Sequence, residues 1–160
     1  MKRGSTIFLK SVIFFIGIAI LALCIFGVPE IGNIVAKLLP NMAYIKYPVL
    51  IILYAAALPF YYALYQALAL LSYIDRSIAF SQSSVIALKK IKYCAITISC
   101  LHVLLLPLFY LFADKDDAPG VIFVGLVIPF ASMVIAVFAA VLQRLLKEAI
   151  DIKSENDLTV

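Results

Sequence analysis

Tryptophan is absent from this chain, histidine occurs once, and charged residues make up only 14% of it. Each shortage excludes something. The cysteines number three, Cys24, Cys94 and Cys100, with no C-x-x-C among them. An odd count inside apolar runs argues against a disulfide framework or a thiol oxidase and fits small buried side chains. The nine acidic residues all lie outside the long apolar stretches, so the intramembrane acid of a proton-coupled exporter is missing. The single histidine, His102, has no second axial ligand beside it, because Cys100 and His102 point to different helical faces. No P-loop, H-E-x-x-H or nucleophile elbow occurs, and no cofactor or metal set can be assembled. The sequence therefore predicts a protein that is not an enzyme.

What the chain does have is apolar length. It is 66% hydrophobic, with a mean hydropathy of +1.13, against about 45–50% apolar residues in an ordinary soluble domain. A domain of 160 residues leaves too much surface outside its core to hide that excess from water. The medium it implies is lipid. Uncharged stretches run from Ser11 to Pro29, Tyr47 to Ile74, Tyr93 to Ala113 and Ala118 to Gln143. A helix of about 20 apolar residues crosses a hydrocarbon core of about 30 Å. The prediction is an all-α integral membrane four-helix bundle forming one domain, residues 1–160, with spans at about 8–28, 48–73, 92–112 and 120–143. Lys2 and Arg3 ahead of an apolar run also resemble a signal peptide, but no small-residue cleavage site precedes Pro29, so the first span is expected to be retained.

Charge sets the orientation. Ten Lys and Arg fall on the side of the termini and the 74–91 loop, and three, Lys37, Lys46 and Lys115, on the other. The positive-inside rule then places both termini, the loop and the 144–160 tail in the cytoplasm of a bacterial inner membrane. The same distribution explains a pI near 9.0 better than nucleic-acid binding does, because the basic residues flank apolar segments rather than forming one patch. The hairpin Asp114 to Gly120 is acidic and turn-rich, as suits an outer loop.

Two connecting segments carry more than turn signals. Between Glu30 and Lys46, Ile31, Ile34, Val35, Leu38 and Leu39 recur at helical spacing, which predicts a short amphipathic helix, lying in the outer interface or capping the outer end. Between Asp75 and Lys92, Ser81 or Ser83 can cap a helix whose stripe is Val85, Leu88 and Ile91, with Lys89, Lys90 and Lys92 beside it. This helix is expected to run straight into the third span. Its exposed side offers either a contact with lipid headgroups or a docking surface made of Phe80, Val85, Leu88, Lys89 and Lys90. In the tail, Leu142, Leu145, Ala149 and Ile152 keep a narrow apolar stripe that calls for a partner, within the protein or from another chain such as a second copy.

Within the spans, Ser132, Ala136 and Ala140 form a small-residue ladder, and Ala63 and Ala67 do the same, as close helix approach in lipid requires. Pro59, Pro107 and Pro129 fall inside spans. Tyr54, Tyr61 and Tyr65 share a face, with Gln66 beside it, and His102 is the polar residue of the third span. They are either hydrogen-bonding ties between helices or the lining of a pocket for an amphipathic ligand, as in a small transporter. A third reading makes the chain a subunit or assembly factor of a larger membrane complex.

With four spans placed, the segments Tyr73-Ile74-Asp75-Arg76-Ser77-Ile78-Ala79-Phe80-Ser81 and Val85-Ile86-Ala87-Leu88-Lys89-Lys90-Ile91 resemble those of an uncharacterised bacterial four-span family, domain of unknown function 2975. Ala79 stands where that family commonly has Pro, and Ser84 where it commonly has Asn. The resemblance covers nearly the whole chain and implies no catalytic residues. Members of the family are often accompanied by a small cytoplasmic helix-turn-helix regulator. The resemblance therefore implies a membrane partner that sequesters or tunes such a regulator, itself without direct contact to nucleic acid.

Overall fold

The computed structural model describes residues 3–159, which are helical throughout apart from short connections. Lys2, counted above among the basic residues, and Val160, at the end of the tail, lie outside the described residues. The elements are α1 (Arg3–Ala22), α2 (Val28–Leu38), α3 (Lys46–Asp75), α4 (Gln82–Val103), α5 (Leu106–Lys115) and α6 (Gly120–Thr159). A π-helical turn, Leu23–Gly27, joins α1 to α2 without a break, so Arg3 to Leu38 is one rod. The amphipathic helix expected after Pro29 is thus α2, and it does not lie flat in the interface. Its apolar side packs down. Gly32 admits Leu50 of α3 so closely that an added Cβ would meet the Leu50 side chain at 3.1 Å. One turn on, Val35 sits with Val49 and Leu105 at the centre of the apolar core, flanked by Phe109 and Phe112. The cap over one end of the bundle is the arrangement adopted.

Proline marks two of the later changes of direction. Pro40 opens a 3-10 turn, Pro40–Ile45, that feeds α3. The third span breaks after Val103, and Pro107 falls in the first turn of α5, where its missing N–H costs nothing. Pro59 and Pro129 remain inside α3 and α6. At the end of α3 the chain turns through Ser77, held at φ 59, with the Ser77 and Ile78 amides donating to the carbonyls of Ile74 and Tyr73. This is a Schellman closure, normally given to glycine. Asp117, at φ 49, closes α5 with the same 6→1 bond, from Ala118 N to Ala113 O.

Four helical segments are long and apolar enough to cross a membrane. Because the chain reverses between them, the start of α1, the end of α3, the start of α4 and the end of α6 share one end, which carries most of the basic residues. The acidic hairpin lies at the other. The spans pack in chain order: α1 on α3, α3 on α4, and α4 on α6. α1 makes no extended contact with α6. The expected four-helix bundle is therefore an open row with two edges. Of the α1 residues only Thr6 is buried, while Phe8, Phe14 and Phe15 face outward, which is tolerable only against acyl chains.

The tightest pairing is α4 with α6. Gly125, Pro129, Ser132, Ala136 and Ala139 are the buried residues of α6. Their alternating spacing of four and three is that of left-handed helix pairs, so Ala139 takes the last rung of the ladder where Ala140 was expected. Ser99 donates to the Pro129 carbonyl at 2.9 Å across this contact. Gly125 faces the Phe109 ring, and a Cβ there would lie 2.6 Å from its Cγ.

Two outcomes test this packing by reversible unfolding in mixed micelles. Gly125→Ala should destabilise by about 1–3 kcal/mol through overpacking, and Phe109→Leu in the same chain should return part of the loss. Ser77→Gly should stabilise by roughly 1 kcal/mol, because a left-handed residue with a Cβ carries that strain.

Candidate functional site

Two polar constellations were expected, and the structure treats them differently. In the first, two tyrosines of α3 reach back to the rod that runs from Arg3 to Leu38. Tyr54 donates to the Cys24 carbonyl at 3.0 Å, inside the π turn, and Tyr61 to the Gly17 carbonyl at 2.7 Å. Tyr65 is 65% exposed, and Gln66, a hundred degrees round the helix, is buried. His102 holds Nδ1 2.9 Å from the Ile98 carbonyl, one turn back on its own helix. Of the five residues only Tyr61 and Tyr65 share one surface. A groove of about 310 Å³ lies between α1 and α3; Tyr61 and Tyr65 reach its wall, but Ile13, Phe14, Ile18, Leu21 and Leu64 line most of it. Tyr54 and Tyr61 are interhelical ties, which lipid favours because a phenol has no water there to bond.

The second constellation, at the basic end, keeps only part of its expected surface. Ser81 caps α4, its hydroxyl accepting from Ser84 N at 3.4 Å. The stripe then continues into the span as the spacing requires. Val85 and Leu88, however, are 5% and 7% exposed. They pack inside this chain and are closed to a partner, which corrects the docking surface drawn from the sequence. An amphipathic stripe must cover its apolar side, and here the neighbouring helices already do so. Phe80, at 62% exposure, remains open, and Ile78 in the same loop and Ile86 on α4 are exposed as well. Lys89 and Lys90 are exposed, Lys90 lying 6.0 Å from the centre of the Tyr62 ring on α3.

A contact that sequence reasoning missed closes the same end. Lys10 Nζ lies 2.7 Å from Asp75 Oδ2, joining the first turns of α1 to the last turn of α3. The hydrogen bond from Lys10 is the main cause that holds the Asp75 carboxyl below its ordinary 3.8, helped by the charges of Lys10 and Arg3 and opposed by partial burial. The hydroxyl of Thr6, wholly buried, stands near the carboxylate without a formed bond. The only sequence signal was a lysine interrupting one apolar run and an aspartate ending another. At the opposite end Lys115 donates to the Leu38 carbonyl, tying α5 to the C-terminus of α2, where the helix dipole favours a cation.

Comparison with known proteins matches this sequence to a described group. Residues 30–160 fit the family described as protein of unknown function (DUF2975). The chain belongs to the DUF2975 family. A curated relative, the uncharacterized membrane protein YoaS of Bacillus subtilis (strain 168), is 69% identical over 160 residues, all of both chains. No solved structure matches. The family's matched region starts at Glu30, so it takes in α3 to α6 and most of α2, whereas the relative is similar along α1 as well. The chain is thus a bacterial-type DUF2975 membrane protein with four candidate spans.

The Lys10–Asp75 contact predicts an acid dependence. A carboxyl whose folded pKa is lowered stabilises the fold fully above its unfolded value, and the contribution is lost as pH falls through the lower folded value. The stability difference between the native chain and Asp75→Asn should therefore be constant near neutrality and shrink below about pH 4. Unfolding in micelles between pH 3 and 7 checks it; a pH-independent difference would refute the clamp. Tyr61→Phe should loosen α1 by roughly 0.6 kcal/mol, the usual size of an interhelical bond in lipid.

Proposed function

We propose that this protein is a non-enzymatic component of the bacterial cytoplasmic membrane whose inner face holds a soluble protein. The partner class is the small helix-turn-helix regulator that the family resemblance implies. The basic end is the cytoplasmic one under the positive-inside rule, with both termini inside. The observation that carries the reading is Phe80. It is a large aromatic side chain on the short loop ahead of α4 at the charged end, and it is exposed, as are Ile78 in the same loop and Ile86, Lys89 and Lys90 on the first turns of α4. Exposed apolar side chains and lysines on adjoining stretches of the chain supply the two ingredients of a protein contact, an apolar anchor and a charged rim.

A pocket for an amphipathic ligand has less support. The groove that Tyr61 and Tyr65 reach is otherwise apolar and is lined by neither Gln66 nor His102, and the phenols of Tyr54 and Tyr61 are already engaged with backbone carbonyls. Regulation by sequestration asks only for a membrane anchor and a docking surface, and both are available without catalytic groups.

Two measurements decide the matter. A reporter enzyme fused at the C-terminus should be active only on the cytoplasmic side. Capture from gently solubilised membranes should recover a soluble DNA-binding protein with the native chain and lose most of it with Phe80→Asp, while Leu88→Ala should lower stability first. Equal capture by native chain and Phe80→Asp would sink the docking role.

A further inference from the structure

α6 is longer than the bilayer needs. Its 40 residues extend about 60 Å at 1.5 Å each. Stepping equally along the antiparallel pair from the Ser99–Pro129 contact, the first residue of α4 lies level with Leu146. Lys147 to Thr159 therefore projects as free helix by roughly 20 Å, beyond the helix it packs on.

The projecting part is not polar all round. Beside the α4-facing residues, about a quarter-turn or more round the helix, runs a second stripe of strict three-and-four spacing. Ile135, Leu142 and Ala149 occupy one row of it and Phe138, Leu145 and Ile152 the other. In heptad terms these are the a and d positions, kept over three repeats, and no element of this chain covers them. Inside the bilayer lipid suffices for such a face. Past Arg144 it does not, yet Leu145 is 56% exposed and Ile152 60% exposed.

We propose that a second copy of this chain covers the stripe, so that two α6 helices form a parallel coiled coil running from the membrane into the water phase. All copies insert with one orientation, which confines an α6–α6 contact to the parallel arrangement, whichever side of the membrane the tail is on. The charges suit that arrangement. Glu148 takes a g position and Lys153 the next e position, the spacing at which the g residue of one helix meets the e residue of its parallel mate. A symmetric pair forms the contact twice. Arg144, Lys147, Asp151 and Ser154 fall at outward c and f positions, and Asn156 at the next a position, where paired amides set register in parallel dimers. The exposed Arg144–Glu148 pair at 3.2 Å is of the weak surface kind and yields to the intermolecular contact. This proposal goes beyond the docking role of Phe80 and needs neither it nor the sidedness to be right.

The test is cross-linking in intact membranes with a short bismaleimide, the native chain, whose three cysteines all lie within spans, giving the background. Ile152→Cys, at the predicted contact, should give dimer at about fivefold or more the yield of Ser154→Cys, at the outward face. Glu148→Lys should lower that yield, and Lys153→Glu added to it should restore it, which loss of folding alone would not do. Equal yields at both sites, no dimer at either, an adduct only with a different protein, or a double reversal that fails to recover would each overturn the second copy as the occupant.

Discussion

Lipid removes the force that ordinarily packs helices, and the arrangement of this protein follows from that removal. Acyl chains solvate Phe8, Phe14 and Phe15 as well as a neighbouring helix would. Burying them contributes little, so the contacts that hold the row together are of other kinds. Some are polar ties whose alternative is an unsatisfied group in hydrocarbon: Tyr54 to Cys24, Tyr61 to Gly17, Ser99 to Pro129. Others are close approaches made possible by a missing side chain, Gly32 on Leu50 and Gly125 on Phe109. The ends are joined by ionic groups, Lys10 with Asp75 at one and Lys115 with the Leu38 carbonyl at the other. The rod of α1 and α2 is joined to α3 by all three kinds, and α6 to α4 and α5 by the first two.

These ties differ in how far the sequence discloses them. The spans were legible because length and lack of charge are properties of one segment. The Ser81 cap and the stripe after it were legible for the same reason, since cap and period are local. The partners were not. Tyr61 announces a need for an acceptor, but the acceptor is a backbone carbonyl, which no residue type marks. Lys10 and Asp75 are 65 residues apart, and nothing in either apolar run indicates that their ends coincide. Val85 and Leu88 show the sharpest limit. An amphipathic period says that a face must be covered and is silent on whether the cover is the same chain or another.

The π turn at Leu23–Gly27 shows how a local irregularity serves the packing. By keeping α1 and α2 continuous it carries the apolar side of α2 onto α3, where Val35 meets Val49 and Leu105. Cys24, within the turn, presents the carbonyl that Tyr54 uses. π turns are frequent where a helix must re-aim its side chains. Had the rod ended at Pro29, the segment to Lys46 would have been free to lie in the interface, and the core at this end of the row would have lost its central valine.

An open row has two edges, and the two are not equivalent. The α1 edge is bounded by the membrane: its outward phenylalanines stay at depths where lipid meets them, and its one buried group near the basic end is Thr6. The α6 edge has the same apolar character but does not stop where the bilayer stops. Water therefore distinguishes edges that lipid would leave alike. A face that costs nothing against acyl chains becomes exposed hydrophobic surface within two turns, and the continuity of one helix makes the two parts inseparable. Whatever covers the projecting turns of α6 is for that reason aligned with the membrane-embedded turns as well, and the row acquires a direction in which it can be extended.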